Sequence, residues 1–214
     1  MIVVIQCAAR KRPDAGHLLT KDGRRVLFVA QPQLAPPCDA VIYARPDDKT
    51  DDGYTWRDEL TRYNADTRNN PLGLLPAATL YTHTTYTHLS ERIDSNRLFI
   101  LSAGWGLLPA SFLTPNYDIT FSTQAEPYKR RRRTDLYRDF SRLSNDQYEP
   151  VVFFGGQDYA PLFADLTRMH VGPKTVFFNS QRPPTTPGCF VERFITTTRT
   201  NWHYECVEAW LSRL

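Results

Sequence analysis

Long apolar runs and closely spaced cysteines are both missing from this 214-residue chain. No apolar run approaches the roughly 20 residues that a membrane span needs. The opening residues, MIVVIQCAARKR, lack the order of charged, apolar and small residues that marks a signal peptide. The four cysteines lie far apart without a C-x-x-C pair, so neither a zinc site nor a disulfide framework is expected. We therefore expect a cytoplasmic protein with reduced thiols and no membrane partner.

Several common catalytic motifs are also absent. The chain has no G-x-S-x-G elbow, no G-x-x-x-x-G-K-[ST] phosphate loop, and no G-x-G-x-x-G near its first strand. The five histidines are scattered, and His83 and His88 are five residues apart, which suits a single helical face poorly. No H-E-x-x-H arrangement accompanies them. We therefore expect neither a metal nor an organic cofactor.

Short apolar runs that end at small or polar residues are present instead. Residues 2–6 (IVVIQ), 98–101 (LFIL), 151–154 (VVFF) and 175–178 (TVFF) are typical of parallel strands buried on both faces. Hydrophobic residues make up 41% of the chain and charged residues 23%, which are ordinary values for a globular protein. Further strands are predicted at residues 26–30, 41–44 and 190–194.

Helices are predicted between these strands, so the sequence indicates an α/β protein. The predicted fold is a three-layer arrangement, with a mostly parallel central sheet and helices on both faces. We expect one domain, residues 1–214, with an inserted polar segment at about 45–76 that is either a lid or a plain surface excursion. The predicted helices span residues 56–63, 77–93, 134–143, 159–169 and 201–214.

Polar residues follow the four apolar runs, where ligands bind in sheets of this kind. Amide groups, an aromatic ring and a carboxylate at one edge would suit a nucleobase. The glycines in these turns have a simpler explanation, since a chain leaving a strand needs them to turn. The turn residues concerned are Gln6 and Cys7, Ser102 and Trp105, Gln157 and Asp158, and Asn179.

The stretch LSAGWGLLPASFLTPNYDITF is the most distinctive in the chain. Trp105 stands between two glycines, so it either fills the core or presents a face for stacking. Asn116, Tyr117 and Asp118 follow a proline. Asp118 could stabilise an oxocarbenium-like sugar or activate water when a glycosidic bond is cut, and it could equally stabilise a turn.

Five consecutive cations precede the predicted helix at 134–143. Such a run is often solvated surface, but it can also bind the phosphates of DNA or RNA. Its position about a dozen residues after Asp118 favours contacts to a nucleic-acid backbone next to the proposed site. The run consists of Lys129, Arg130, Arg131, Arg132 and Arg133.

Several motifs in this order resemble the YaaA-like superfamily of bacterial and phage proteins. They are C-A-A-R-K, a helix with Leu80-Tyr81, then ILSAGWGLL, PNYDITF and FFGGQDYAPLF. The resemblance implies association with DNA and a likeness to anti-phage glycosylases that remove glucosylated hydroxymethylcytosine. Trp105, the extra Asn116 and the inserted segment depart from the family pattern. The implied site is Cys7, Lys11, Ser102, Trp105, Tyr117, Asp118, Gly156 and Tyr159.

Together these features predict a DNA glycosylase-like enzyme that flips a modified base out of double-stranded phage DNA, in antiviral defence. Asp118 or Asp158 would be catalytic, and Lys11 and the basic run would hold phosphates. The alternatives are a non-catalytic DNA-binding stress protein of the YaaA type, and an N-glycosidic hydrolase or transferase acting on nucleosides or nucleotides. The oligomeric state stays open. The base would meet Gln6, Cys7, Ser102, Trp105, Asn116, Tyr117, Gln157 and Asn179, with Trp105 or Tyr117 stacked on it.

Overall fold

The computed structural model describes residues 1–66, 69–144 and 148–214, which contain twelve strands and four α-helices. In these ranges no helix has both the length and the apolar character needed to cross a bilayer. The helices are α1 (Trp56–Ala65), α2 (Thr84–Arg92), α3 (Ala160–Leu166) and α4 (Trp202–Leu211). The strands are β1 (Ile2–Gln6), β2 (Arg25–Val29), β3 (Val41–Ala44), β4 (Leu75–Pro76), β5 (Leu98–Ser102), β6 (Gly106–Pro109), β7 (Leu113–Thr114), β8 (Tyr117–Asp118), β9 (Phe140–Ser141), β10 (Val151–Phe154), β11 (Lys174–Phe178) and β12 (Phe190–Arg193).

A seven-stranded sheet in the order β12-β11-β10-β1-β5-β6-β9 forms the centre of the molecule. Its first five strands are parallel, and β6 pairs antiparallel with β5 before β9 pairs parallel with β6. The mostly parallel α/β sheet predicted from the apolar runs is therefore confirmed. The apolar runs form its middle because strands covered on both faces need apolar side chains throughout.

Helices cover both faces of this sheet, as β10 demonstrates. Neighbouring residues of a strand point to opposite faces. Phe153 stacks on Phe163 of α3 with 4.7 Å between ring centroids, whereas Phe154 contacts Trp210 of α4 at 5.5 Å. α3 and α4 therefore lie on opposite faces, and the three-layer prediction is confirmed.

A second, smaller sheet packs beside the first and was not predicted as a separate unit. Strands β3, β2 and β8 are parallel, in that order, and β4 and β7 form an antiparallel pair. The two larger sheets share one core, because Phe28 of β2 packs edge-on against Trp105 with centroids 4.9 Å apart. β8 lies near the carboxyl end of β5, the neighbour of β1, because the Ser102 hydroxyl donates to the Tyr117 hydroxyl.

The inserted segment, residues 45–76, includes residues 67–68, which lie outside the described part of the chain. Its described residues pack into the core, with Trp56, Leu60 and Leu74 buried. α1 begins at a reciprocal cap between Thr55 and Asp58, as helix N-termini often do. The described part of the segment is therefore anchored in the core, and α1 supplies an internal support for the loop that holds Trp105.

Two of the predicted helices differ from the structure. Residues 134–143 form no helix, because the backbone NH of Phe140 donates to Trp105 O and draws this segment to the sheet edge as β9. The helix predicted at 77–93 is shortened to α2. Its first residues are held elsewhere, since the NH groups of Ala77 and Ala78 donate to the carbonyls of Phe112 and Ala110. In both places tertiary hydrogen bonds outweigh local helical periodicity.

Candidate nucleotide site

A polar cavity of about 320 Å³ lies at the carboxyl ends of β1 and β10, and we call it the strand-end pocket. From β1 the chain proceeds to β5 on one side and later reaches β10 on the other, so the pocket sits where the strand order reverses. Open α/β sheets bind their ligands in this crevice. Its lining includes Gln6, Cys7, Thr120, Asp158, Asn201 and Tyr204.

The turns predicted to meet at one edge do so, because β1, β5, β10 and β11 are parallel neighbours. Gln6 joins two of them, since its side-chain Oε1 accepts a hydrogen bond of 2.6 Å from the backbone NH of Gly156. The carbonyl of Gln6 also accepts a hydrogen bond of 2.7 Å from the hydroxyl of Tyr86. Gln6 therefore links the turn after β10 and helix α2 to the end of β1, and it also lines the pocket.

A buried thiol and a buried phenol meet beside this pocket. The Sγ of Cys7 lies 3.3 Å from the hydroxyl of Tyr159, and both residues line the cavity although little of either is exposed. Burial raises the pKa of Tyr159 well above its ordinary value, and Cys7 adds to the effect. Phe121 packs edge-on against the Tyr159 ring at 5.0 Å. The phenol is therefore a neutral hydrogen-bonding group at neutral pH.

Ser102 and Tyr117, which were expected to contact a base, form an internal network instead. The Ser102 hydroxyl donates to the Tyr117 hydroxyl at 2.9 Å, and the Tyr117 and Tyr81 hydroxyls lie 2.8 Å apart. Burial raises the pKa of both tyrosines. The predicted stacking role of Tyr117 is wrong for this conformation, because its ring is almost fully buried.

Trp105 is also a core residue. Its indole is fully buried, where it packs against Phe28 and lies parallel to Phe140 with centroids 6.4 Å apart. Arg57 of α1 supports the loop by donating to the carbonyls of Gly104 and Trp105, at 2.7 and 3.0 Å. Of the two interpretations drawn from the sequence, filling the core is confirmed, and stacking on a base is excluded by burial.

Lys11 lies over the tyrosine network and is partly exposed. Its Nζ sits 4.2 Å above the centre of the Tyr117 ring and donates to the carbonyls of Ala8 and Ala9, at 3.4 and 3.3 Å. Burial lowers the pKa of Lys11, although Cys7 and Asp118 oppose the shift. The predicted phosphate contact would therefore require Lys11 to leave these partners.

The basic run divides into cations with internal partners and cations that face a groove. Lys129 is held by Asp118 and Glu126, at 2.7 and 3.2 Å. The Arg131 guanidinium is buried, pairs with Asp139 through both terminal nitrogens and donates to the carbonyl of Ala103. Of the five cations predicted to bind phosphate, Lys129 and Arg131 therefore have carboxylate partners within the protein.

A cavity of about 350 Å³, which we call the basic groove, is lined by Arg130, Arg132 and Arg133 together with the buried Arg131. Asp158 and Thr123 line both this groove and the strand-end pocket, so the two cavities adjoin. Asp158 is exposed, and its Oδ1 accepts a hydrogen bond of 3.1 Å from Arg133. A carboxylate thus stands between a polar pocket and a cationic groove.

Asp118, the carboxylate favoured from the sequence, has a different environment. Its oxygen is held by Lys129, and it is not among the side chains that line the strand-end pocket or the basic groove. Burial lowers the pKa of Lys129, but the hydrogen bonds to Asp118 and Glu126 outweigh burial and raise it overall. Lys129 therefore stays charged at neutral pH and occupies Asp118, whereas Asp158 is the carboxylate that lines both cavities.

Three other expected residues lie away from the strand-end pocket. Asn179 follows β11, and its amide donates to the carbonyl of Thr198, whereas Gln157 is exposed and Asn116 precedes β8. Asn201 and Tyr204, which line the pocket from the start of α4, were not predicted. Asn201 directly precedes the helical pattern, and its position at a helix N-terminus, which faces ligands in such folds, could have identified it.

Chemically, the two cavities offer hydrogen-bond donors and acceptors, one carboxylate, and cations for an anionic group. Within the described ranges, no three His, Cys, Asp or Glu side chains are grouped so that they could hold a metal ion. The strand-end pocket is at the small end of the volumes found for ligand sites, roughly 300–1,000 Å³. It therefore suits one planar polar ring with a neighbouring phosphate.

Comparisons with known proteins returned one family and no individual relative. The model of a family of unknown function, DUF6884, matches residues 70–176, half of the chain. No curated protein and no solved structure matches. The matched range contains the basic run and Asp158 but ends before α4 and begins after β1.

Proposed function

We propose that this chain, which belongs to the DUF6884 family, is a DNA glycosylase-like enzyme that removes a modified base. The base would occupy the strand-end pocket, and the adjacent phosphate would lie in the basic groove. The observation that carries the proposal is the junction of the two cavities at Asp158 and Thr123. A nucleotide needs this combination, because its base is a polar ring and its phosphate an anion.

Asp158 is the group that we assign to catalysis. When an N-glycosidic bond breaks, the base leaves with the bonding electrons and positive charge develops at the anomeric carbon of the sugar. A carboxylate between the base pocket and the phosphate groove stands where the sugar would lie, and it would stabilise that charge. Water then adds to the anomeric carbon, and its proton passes to Asp158 or solvent. The departing base is neutralised by a proton from solvent.

Recognition of the base would come from the pocket walls. The Asn201 amide and the Tyr159 and Thr120 hydroxyls can exchange hydrogen bonds with polar groups on its edge. Removal of glucosylated hydroxymethylcytosine, which the YaaA-like resemblance implies, would require room for the sugar decoration. The opening towards the basic groove would supply that room.

An enzyme that acts on free nucleotides is a second candidate. It is favoured by the internal pairing of Lys129 and Arg131, which leaves three cations of the run for phosphate. One or two phosphates are enough to neutralise three arginines. Binding to duplex DNA by a larger set of cations would instead have an affinity that depends strongly on salt concentration.

A base-release assay on matched substrates tests the proposal. Full-length protein is incubated with unmodified DNA, with DNA containing glucosylated hydroxymethylcytosine, and with the corresponding free nucleotide, and abasic sites and free bases are measured. Asp158→Asn should slow release on the order of a hundredfold or more, within the usual range for such groups. Asp118→Asn is the control, and it should retain most of the activity.

Each other result has a distinct meaning. Release from the free nucleotide alone supports the second candidate. Binding to DNA by the wild type and by Asp158→Asn, without release, supports a non-catalytic DNA-binding protein. Loss of activity in Asp118→Asn with retention in Asp158→Asn would contradict the assignment of the carboxylate.

A further inference from the structure

The basic groove is lined by one buried arginine, Arg131, whose Nε has no hydrogen-bond partner within the described ranges. The residue is only 7% exposed, and its terminal nitrogens donate to Asp139 and to the carbonyl of Ala103. An arginine nitrogen can only donate, and a buried donor without an acceptor is unfavourable. An anion in the groove would supply that acceptor.

The same groove carries a surplus of positive charge. Its lining includes four arginines and a single carboxylate. Two of the arginines, Arg131 and Arg133, are paired with aspartates. The other two, Arg130 and Arg132, form no ion pair within the described part of the chain. Unpaired guanidinium groups attract phosphate, which they bind through charge-assisted hydrogen bonds.

Arg133 is paired with the carboxylate that we assign to catalysis. Its guanidinium lies 3.1 Å from Oδ1 of Asp158, and 59% of each side chain is exposed. Both residues line the basic groove. An ion pair this exposed contributes little to stability, so a stronger acceptor can replace the aspartate. A phosphate held in the groove by Arg130 and Arg132 would be such an acceptor.

We propose that the phosphate of the substrate takes Arg133 from Asp158, so that this carboxylate loses its cation only when a phosphate is bound. The inference rests on the proposed function, and it adds how the phosphate prepares Asp158. A cation 3.1 Å from the carboxylate weakens its attraction for the positive charge that would develop at the sugar. Arg133 is thus a positioning residue that makes base release depend on a phosphate next to the sugar.

Substrates with and without a phosphate test this exchange of partners. Wild type and Arg133→Gln are compared for base release from DNA containing glucosylated hydroxymethylcytosine and from the corresponding free nucleoside. On DNA we expect kcat/KM to fall about tenfold or more, because a charge-assisted hydrogen bond to phosphate is lost. On the nucleoside we expect kcat to rise about two- to fivefold, because no cation then neutralises Asp158. Arg133→Lys should restore part of the rate on DNA.

Arg168→Gln is the matched control. Arg168 also forms an exposed pair with an aspartate, Asp165, at 3.5 Å, but it lines neither the strand-end pocket nor the basic groove. Its replacement should change neither rate. A purely structural role for Arg133 would lower both rates in Arg133→Gln. Where wild type cleaves both substrates, that result, or an unchanged rate on the nucleoside, would overturn the exchange.

A spectroscopic measurement decides the inference even if no base is released. The carboxyl carbon NMR resonance of Asp158, assigned by its loss in Asp158→Asn, is followed while inorganic phosphate replaces sodium chloride at constant ionic strength. The resonance should shift in wild type and in Arg168→Gln, and it should shift far less in Arg133→Gln. No shift in wild type, or equal shifts in all three proteins, would overturn the exchange. A shift that depends on Arg133, without release from any substrate, would overturn the glycosylase proposal alone.

Discussion

Arg57 is the residue through which the inserted segment supports the site, and replacing it tests this role. Its guanidinium is buried, lies 2.5 Å from Asp47, and donates to the carbonyls of Gly104 and Trp105. Burial lowers the pKa of Arg57, while Asp47 and Asp139 oppose the shift. Arg57→Ala would leave the Asp47 carboxylate without its cation and the buried carbonyl of Gly104 without a donor, while the Trp105 carbonyl would keep the hydrogen bond from the Phe140 NH.

The expected loss follows from these contacts. Removing one partner of a buried ion pair costs about 3–5 kcal/mol. Because Asp139 keeps its pair with Arg131 and Asp47 is partly exposed, we expect the lower end, about 3 kcal/mol. For a domain of this size that loss corresponds to a melting temperature lower by about 6–12 °C.

Urea unfolding followed by circular dichroism measures this loss, with Arg62→Ala as the matched control. Arg62 lies on the same helix, is half exposed, and pairs with Glu59 at 3.8 Å, so its removal should cost less than about 1 kcal/mol. If Arg57→Ala and Arg62→Ala were equally stable, the inserted segment would not support the Trp105 loop and the argument would fail.

Three further outcomes are expected. Trp105→Ala should lose about 3–5 kcal/mol in the same unfolding assay because a fully buried indole leaves a large cavity; a loss below about 1 kcal/mol would contradict its core position. Gly106→Ala should destabilise the protein by about 1–3 kcal/mol, since φ is +90° and the added Cβ would lie 2.4 Å from Phe140 O; Gly23→Ala, with positive φ but open space, separates the two causes. Burial, with His83 adding to it, lowers the pKa of His203 to about 3. Between pH 6.5 and 3 the unfolded chain therefore binds a proton that the folded chain does not, so the free energy of unfolding should fall by up to about 1.4 kcal/mol for each pH unit as the pH is lowered. His203→Phe should flatten this part of the plot of stability against pH, and an unchanged slope would exclude His203 as its source.

Part of the candidate site could be predicted from the sequence. Gln6, Cys7 and Asp158 line the pocket, as expected from their position after apolar strands. Trp105 and Tyr117 do not, because a sequence places an aromatic residue near a strand end without stating which way its ring faces.

The sequence by itself determined the mostly parallel sheet, since apolar runs of four or five residues are stable only when covered on both faces. It also determined the edge where the polar turns meet, because parallel strands end together. Only the tertiary structure decided which charged side chains of the basic run form ion pairs with carboxylates. Lys129 and Arg131 meet Asp118 and Asp139 only after the chain has folded, and the pairing of Asp118 is one reason why the catalytic role that we propose falls to Asp158. Pairing depends on distance in space, which a linear order of charges does not contain.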